Sequence, residues 1–147
     1  MALFDWFKKS VAGDETVKLE IAPDEEELAG LNLKQVLDAH TAWKTRLQNA
    51  LDGTSAESLD VAVVCQDNLC ALGKWLYSEG KNKFSHLAEY ESTRVAHSEF
   101  HLCAGEVLME HQDGNADLAA TLLRTKFRTA SNRNQLELVR LFTVARR

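Results

Sequence analysis

The sequence predicts an all-α protein, an antiparallel four-helix bundle preceded by an N-terminal extension. Three observations carry that expectation. A single proline and seven glycines interrupt 147 residues that are rich in the strong helix formers Ala, Leu, Glu and Lys. Apolar residues recur at three- and four-residue intervals over long stretches, the period of a helix with one buried face. Short polar runs separate these stretches, which favours antiparallel neighbours in a bundle. A chain of this length buries a core without staples, so two units are expected: an extension over residues 1–30 and a domain over 31–147.

The extension opens with ALFDWFKK, residues 2–9, which sets Leu3, Phe4, Trp6 and Phe7 beside Lys8 and Lys9. Either its aromatics pack on the domain, or it docks on a partner protein or weakly on anionic lipid, being too short to hold a membrane alone. VKLEIA (17–22) alternates like a strand but has no visible second strand, so it reads as extended linker. PDEEE (23–27) suits a short helical turn with carboxylates at its positive end.

In the domain, NLKQVLDAHTAWKTRLQNALDG reads as a helix capped by Asn32 and stopped at Gly53. Leu33, Val36, Leu37, His40, Trp43, Leu47 and Leu51 share its apolar stripe. The next stretch is expected to be irregular to about Val64, where β-branched residues crowd, then helical from a cap at Asp67 or Asn68 to Tyr77. That places Cys70 in a first helical turn, with SEGKNK as the following loop. A long helix is expected from Ser85 to about His111, closing at QDGN. The last helix starts near Asn115 or Asp117 and carries Leu118, Leu122, Phe127, Leu136, Val139 and Phe142, with a bend at TASNRN.

Several function classes recede on composition. A formal charge of −5 does not suit a nucleic-acid surface, which needs a basic face, so no nucleic-acid partner is expected. No secretory signal opens the chain, and no run approaches the roughly 18 apolar residues of a membrane span. A cytoplasmic location follows as an expectation, and there Cys65, Cys70 and Cys103 stay reduced. A singled-out cysteine in that setting points to metal or reactivity.

His97 and His101, in HSEFH, lie four apart on one helix face with Tyr90, Arg94, Ala104 and Leu108. Two imidazoles so placed can reach one tetrahedral ion; many such pairs are solvent-facing accidents. His40 sits on an otherwise apolar stripe, where it must be hydrogen-bonded, exposed at an end, or bound to metal. Cys70 offers a thiolate from a third segment, and a soft sulfur with three imidazoles suits zinc. In CALGKW, Gly73 leaves room for a close approach near Cys70, while Leu72 and Trp75 give bulk to anchor it. Trp43 and Trp75 also read as plain core residues that hold the ligands still. His86 and His111 are expected to be exposed, and Cys65 and Cys103 to be buried small apolar residues. A sharper reading makes Cys65 a resolving thiol for oxidised Cys70.

Taken together, HTAW at 40–43, CALGKW at 70–75 and HSEFH at 97–101 resemble the three-part motif of the chemoreceptor zinc-binding domain family. The pattern is a His with an aromatic three residues on, then Cys-x-hydrophobic-Gly-x-aromatic, then His-x-x-x-His. The resemblance spans roughly residues 30–145. It implies a helical bundle, zinc as cofactor, His40, Cys70, His97 and His101 as its ligands, and often a homodimer. Family members usually accompany bacterial chemoreceptors or diguanylate cyclases and sense zinc or oxidants. These 147 residues show neither a methyl-accepting hairpin nor a cyclase module. The expected function is therefore a zinc-binding regulatory or sensor domain acting through a partner protein in bacterial signalling, with Cys70 as its redox-sensitive residue. The alternatives are zinc buffering or storage and, from another class, a zinc-dependent enzyme in which one ligand swings off to admit water. Against the enzyme, no positioned general base such as the Glu of HExxH is present, so none is expected.

Overall fold

A computed structural model describes residues 27–147. The aromatic segment at 2–9, the VKLEIA stretch and most of PDEEE thus lie outside the described residues. The described chain opens with a small antiparallel hairpin, β1 (Glu27–Leu28) and β2 (Leu31–Asn32). Ala29 and Gly30 turn it with φ of 48° and 85°, the paired left-handed conformations that match the twist of a two-residue hairpin. Sequence alternation over so few residues carries no period, and tertiary bonds fix the hairpin instead. The Trp75 indole donates to the Ala29 carbonyl at 3.0 Å, and Arg146 donates to the carbonyl of Glu27.

Apart from the hairpin, the regular structure among the described residues is helical, in keeping with an all-α chain: α1 (Leu33–Asp52), α2 (Val61–Val64), α3 (Ala71–Leu76), α4 (Glu79–Phe84), α5 (Ala88–Gln112), α6 (Ala116–Arg124) and α7 (Lys126–Ala145). Helix α1 has the predicted ends. Asn32 accepts from the Gln35 backbone N–H at 2.9 Å, and Gly53 closes the helix at φ 73°, a cap pair worth about 1 kcal/mol at its N-terminal half. Its stripe buries Leu33, Val36, Leu37, His40 and Leu47, while Trp43 and Leu51 are half-buried.

The region between α1 and α5 departs from expectation. Val61–Val64 forms one helical turn capped by Asp60, because Val64 is buried in the core with Val61 packed against it, although Val63 is exposed, and tertiary burial outweighs their propensity. Helix α3 starts one residue after Cys70, which is its cap in place of Asp67 or Asn68; Cys70 Sγ accepts from Gly73 N–H at 3.4 Å. SEGKNK is helical rather than a loop, and Gly80 there lies directly against the Trp75 ring. Helix α5 begins at Ala88, three residues past the predicted Ser85, and the turn after it passes through Gly114 at φ 85°. The last helix breaks at Thr125 (φ −114°, ψ −84°), ahead of TASNRN. Phe127, Val139 and Phe142 are buried, but Leu118 is 47% exposed and Leu136 half-buried.

Helix α5 is the centre of the fold. It packs most extensively on α7, then on α6, and also touches α1, α2, α3 and α4. Two apolar clusters flank the histidines. One gathers Leu33, Leu37, Leu72, Trp75, Leu76, Tyr90, Leu138 and Phe142. The other gathers Leu47, Val64, Phe100, Ala104, Val107, Leu108 and Phe127. Among the described residues, no helix is long and apolar enough to cross a membrane.

Candidate metal centre

His40 on α1, Cys70 at the start of α3, and His97 and His101 on α5 come together between the two apolar clusters. The ligand atoms these four offer all lie within 4.8 Å of one another. The three histidines are buried, at 3%, 0% and 3% exposure, and Cys70 is half-buried. Helical spacing supplies part of this convergence, since one α-helical turn separates the rings of His97 and His101 at 4.6 Å between centroids. The ring of His40 approaches them from α1 at 5.2 Å and 6.0 Å.

Hydrogen bonding sets which nitrogens face inward. His40 Nδ1 lies 2.8 Å from the Val36 carbonyl and His101 Nδ1 lies 2.9 Å from the Val64 carbonyl. A carbonyl only accepts, so each Nδ1 carries the proton and each Nε2 presents a lone pair. These carbonyls are the outer partners that orient imidazole ligands. The inward atoms then crowd: His97 Nε2 is 3.1 Å from His101 Nε2 and 3.2 Å from Cys70 Sγ, and His101 Nε2 is 3.7 Å from that sulfur. His40 Nε2 is buried with no hydrogen-bond partner at all.

Such an arrangement fits a bound cation. Zinc bonds of about 2.05 Å to nitrogen and about 2.3 Å to sulfur make tetrahedral edges of roughly 3.3 and 3.6 Å, close to the spacings found. Without a cation, lone pairs face one another in an apolar surround, and an unpartnered buried acceptor costs about 1–3 kcal/mol. Residues 40–108 match the family model of the chemoreceptor zinc-binding domain. The chain carries a chemoreceptor zinc-binding domain. The matched span begins at one member of the cluster, His40, and contains the other three. No curated protein and no solved structure matched in the corresponding comparisons.

The supporting residues of this zinc-binding domain divide by position. Trp43 packs beside the cluster, its ring 6.4 Å from that of His101, and the Arg46 guanidinium stacks on the Trp43 ring, 3.7 Å from its centroid. Leu72 and Trp75 lie in the apolar cluster against which Cys70 packs, and they anchor α3 there. Gly73 does permit a close approach, but of backbone: a Cβ there would lie 1.7 Å from the Asp67 carbonyl oxygen. Sequence reasoning missed the carbonyls of Val36 and Val64, the Phe100 ring at 5.1 Å from His40, and Gly105. A Cβ on Gly105 would lie 2.1 Å from Cys65 Sγ, so this glycine, one turn beyond His101, lets α2 approach α5. Its position after HSEFH was the available signal. On α5, Tyr90, Ala104 and Leu108 are buried as the shared face requires, and Arg94 is half-buried. Of the remaining polar candidates, His86 is exposed and His111 half-buried, because α5 ends there against the loop before α6. Cys103 is buried and Cys65 half-buried, and all three thiols are free.

Burial governs the charge states. It lowers His40 from 6.5 to about 4, with the Val36 carbonyl opposing and His101 reinforcing the shift. It lowers His97 to about 2, helped by His40 and His101, and lowers His101 as well. Burial pushes the Cys70 thiol up. A histidine kept neutral by folding binds fewer protons than in the unfolded chain, so its contribution is whole above about 6.5 and lost as pH falls below it. Chelator-treated protein is therefore expected to melt at steadily lower temperature from pH 7 to pH 5. Circular dichroism melts over that range check this, and a flat melting temperature would contradict it.

Proposed function

We propose that the chain is a zinc-binding regulatory or sensor domain that acts through a partner protein in bacterial signalling. One observation carries this reading: three imidazoles and a thiolate, all within 4.8 Å and drawn from three segments, inside a family match that spans them. The soft sulfur and neutral nitrogens favour zinc over oxygen-seeking cations. Four protein donors suit structure or sensing, whereas catalytic zinc keeps a position for water, so the domain is proposed to be regulatory rather than an enzyme. A cytoplasmic location and a homodimer belong to the same proposal. So does a four-helix arrangement in which α1, α5 and the α6–α7 pair run with the α2–α4 region in the fourth place.

Because the ligands come from distant segments, metal binding is coupled to their packing. A sensor exploits only the difference in zinc affinity between two arrangements of those segments. Oxidants offer a second input at the same site. Cys70 is the one half-buried member of the cluster, and oxidation of its sulfur would remove a donor and release the metal.

Metal analysis of purified protein followed by competition with a chelator of known affinity tests the reading. One zinc per chain, exchanging in the range of cellular free zinc, is the expected result; no bound zinc would overturn it. Calorimetry adds a further expectation. The histidines are neutral and the thiol protonated before binding, so about one proton should leave per zinc at neutral pH. Titrations in two buffers of different ionisation enthalpy measure that number, and a value near zero would show that Cys70 does not ligate.

A further inference from the structure

The thiolate donor is held differently from its three partners. His40, His97 and His101 stand inside long helices, whereas Cys70 caps the six-residue helix α3 after the non-helical stretch 65–70. That same stretch follows Val64, whose carbonyl orients His101. Displacing residues 64–70 would remove the sulfur and the orienting acceptor of a second ligand together.

One side-chain tether ties this stretch to the rest of the site. The Tyr77 hydroxyl, at the end of α3, donates to Asp67 Oδ2 at 2.6 Å. The Arg94 guanidinium acts electrostatically on the Tyr77 hydroxyl, while making paired bonds to the Glu91 carboxylate through Nε at 2.9 Å and Nη2. Arg94 and Glu91 are on α5, the helix that bears His97 three residues further on. The chain Asp67–Tyr77–Arg94–Glu91 thus joins the Cys70 stretch to the helix carrying two imidazoles. It lies toward the surface, with Tyr77 42% exposed, so it can open without disturbing either apolar cluster.

We infer that Asp67 and Tyr77 are positioning residues whose hydrogen bond holds residues 64–70 closed over the metal and thereby sets the rate at which zinc leaves. This rests on the zinc-binding reading above and deepens it. Zinc escape requires Cys70 to withdraw, and the tether must break for the stretch to move. A half-exposed hydrogen bond of ordinary net strength is worth up to about a tenfold change in an equilibrium or rate, so its loss should speed release by roughly three- to tenfold.

Three variants separate tethering from charge, since the Asp67 carboxylate also lies in the electrostatic field of Cys70 and His101. Tyr77→Phe removes the hydroxyl and leaves every charge. Asp67→Asn removes the charge and keeps an acceptor for the hydroxyl. Asp67→Ala removes both. The rate of zinc transfer from loaded protein to excess chromogenic chelator is measured by stopped flow, alongside metal content and the melting temperature of the chelated protein. Expected are roughly three- to tenfold faster release in Tyr77→Phe and Asp67→Ala, a smaller change in Asp67→Asn, and full initial zinc content in all. Unchanged release in Tyr77→Phe overturns the inference, as does fast release in Asp67→Asn with none in Tyr77→Phe, which would assign the effect to charge. Faster release matched by an equal loss of chelated-protein stability also overturns it, since a merely structural bond would do that. If wild-type protein holds no zinc, the underlying reading fails instead, and the metal content reports that separately.

Discussion

Zinc affinity is expected to fall more than about a hundredfold in His97→Ala. His97 is wholly buried, and its Nε2 is within 3.2 Å of both Cys70 Sγ and His101 Nε2, so it stands at the middle of the cluster. Losing an outer partner of a metal ligand costs 10–100-fold, and losing a donor costs more. At free zinc a thousandfold above the wild-type dissociation constant, the metal stabilises the fold by about 4 kcal/mol. A hundredfold weaker site retains only about 1.4 kcal/mol of that. The difference corresponds to roughly 5–10 °C for a chain of this size. The quantity to measure is the gap between zinc-loaded and chelated melting temperatures, because the cavity left by alanine lowers both. Cys70→Ser should shrink the gap in the same way and also abolish the proton released on binding. An undiminished gap in either variant would mean that the side chain is not a ligand.

The donors were legible in the sequence because they are of rare chemical types at telling positions. His97 and His101 declare a common helix face by their spacing, and His40 interrupts an otherwise apolar stripe. Their convergence with Cys70 was not derivable from spacing, since 27 residues of mixed structure separate the sulfur from His97; there the family resemblance supplied what local physics could not. Helix α1 was legible to the residue because Asn32 and Gly53 are both strong caps. The stretch from Val61 to Phe84 was not. Its helices are one or two turns long, too short for a period to appear, and each is fixed by a contact beyond itself: Val64 by His101, Trp75 by the Ala29 carbonyl, Gly80 by the Trp75 ring. The break at Thr125 was not legible either, because no glycine or proline announces it. Cys70 as a helix cap was missed because a thiol is a weak acceptor beside Asp67 and Asn68, and only the tertiary position of its sulfur makes it the capping group.

Gly73→Ala sets local propensity against tertiary packing, and the two predict opposite signs. In the interior of a helix, alanine is better than glycine by about 1 kcal/mol, so residues 71–76 considered alone should gain stability. In the folded chain, the new Cβ would lie 1.7 Å from Asp67 O, 2.7 Å from Asp67 C and 3.0 Å from Asn68 Cα. These are backbone atoms, with no rotamer into which they can retreat. The turn at 67–68 must therefore back away from α3 by more than an ångström, and it is the turn that delivers Cys70 and bears the Tyr77 tether. Overpacking of this kind costs about 1–3 kcal/mol and sometimes more, which outweighs the propensity gain. Chelated Gly73→Ala protein is thus expected to melt several degrees below wild type and to bind zinc more weakly, because the displaced sulfur no longer reaches the three imidazoles. Melting curves and chelator competition on the one variant measure both effects. A rise in melting temperature with unchanged zinc affinity would mean that the 67–68 turn is free to move, and that the close approach of Asp67 to α3 does not hold Cys70 in place.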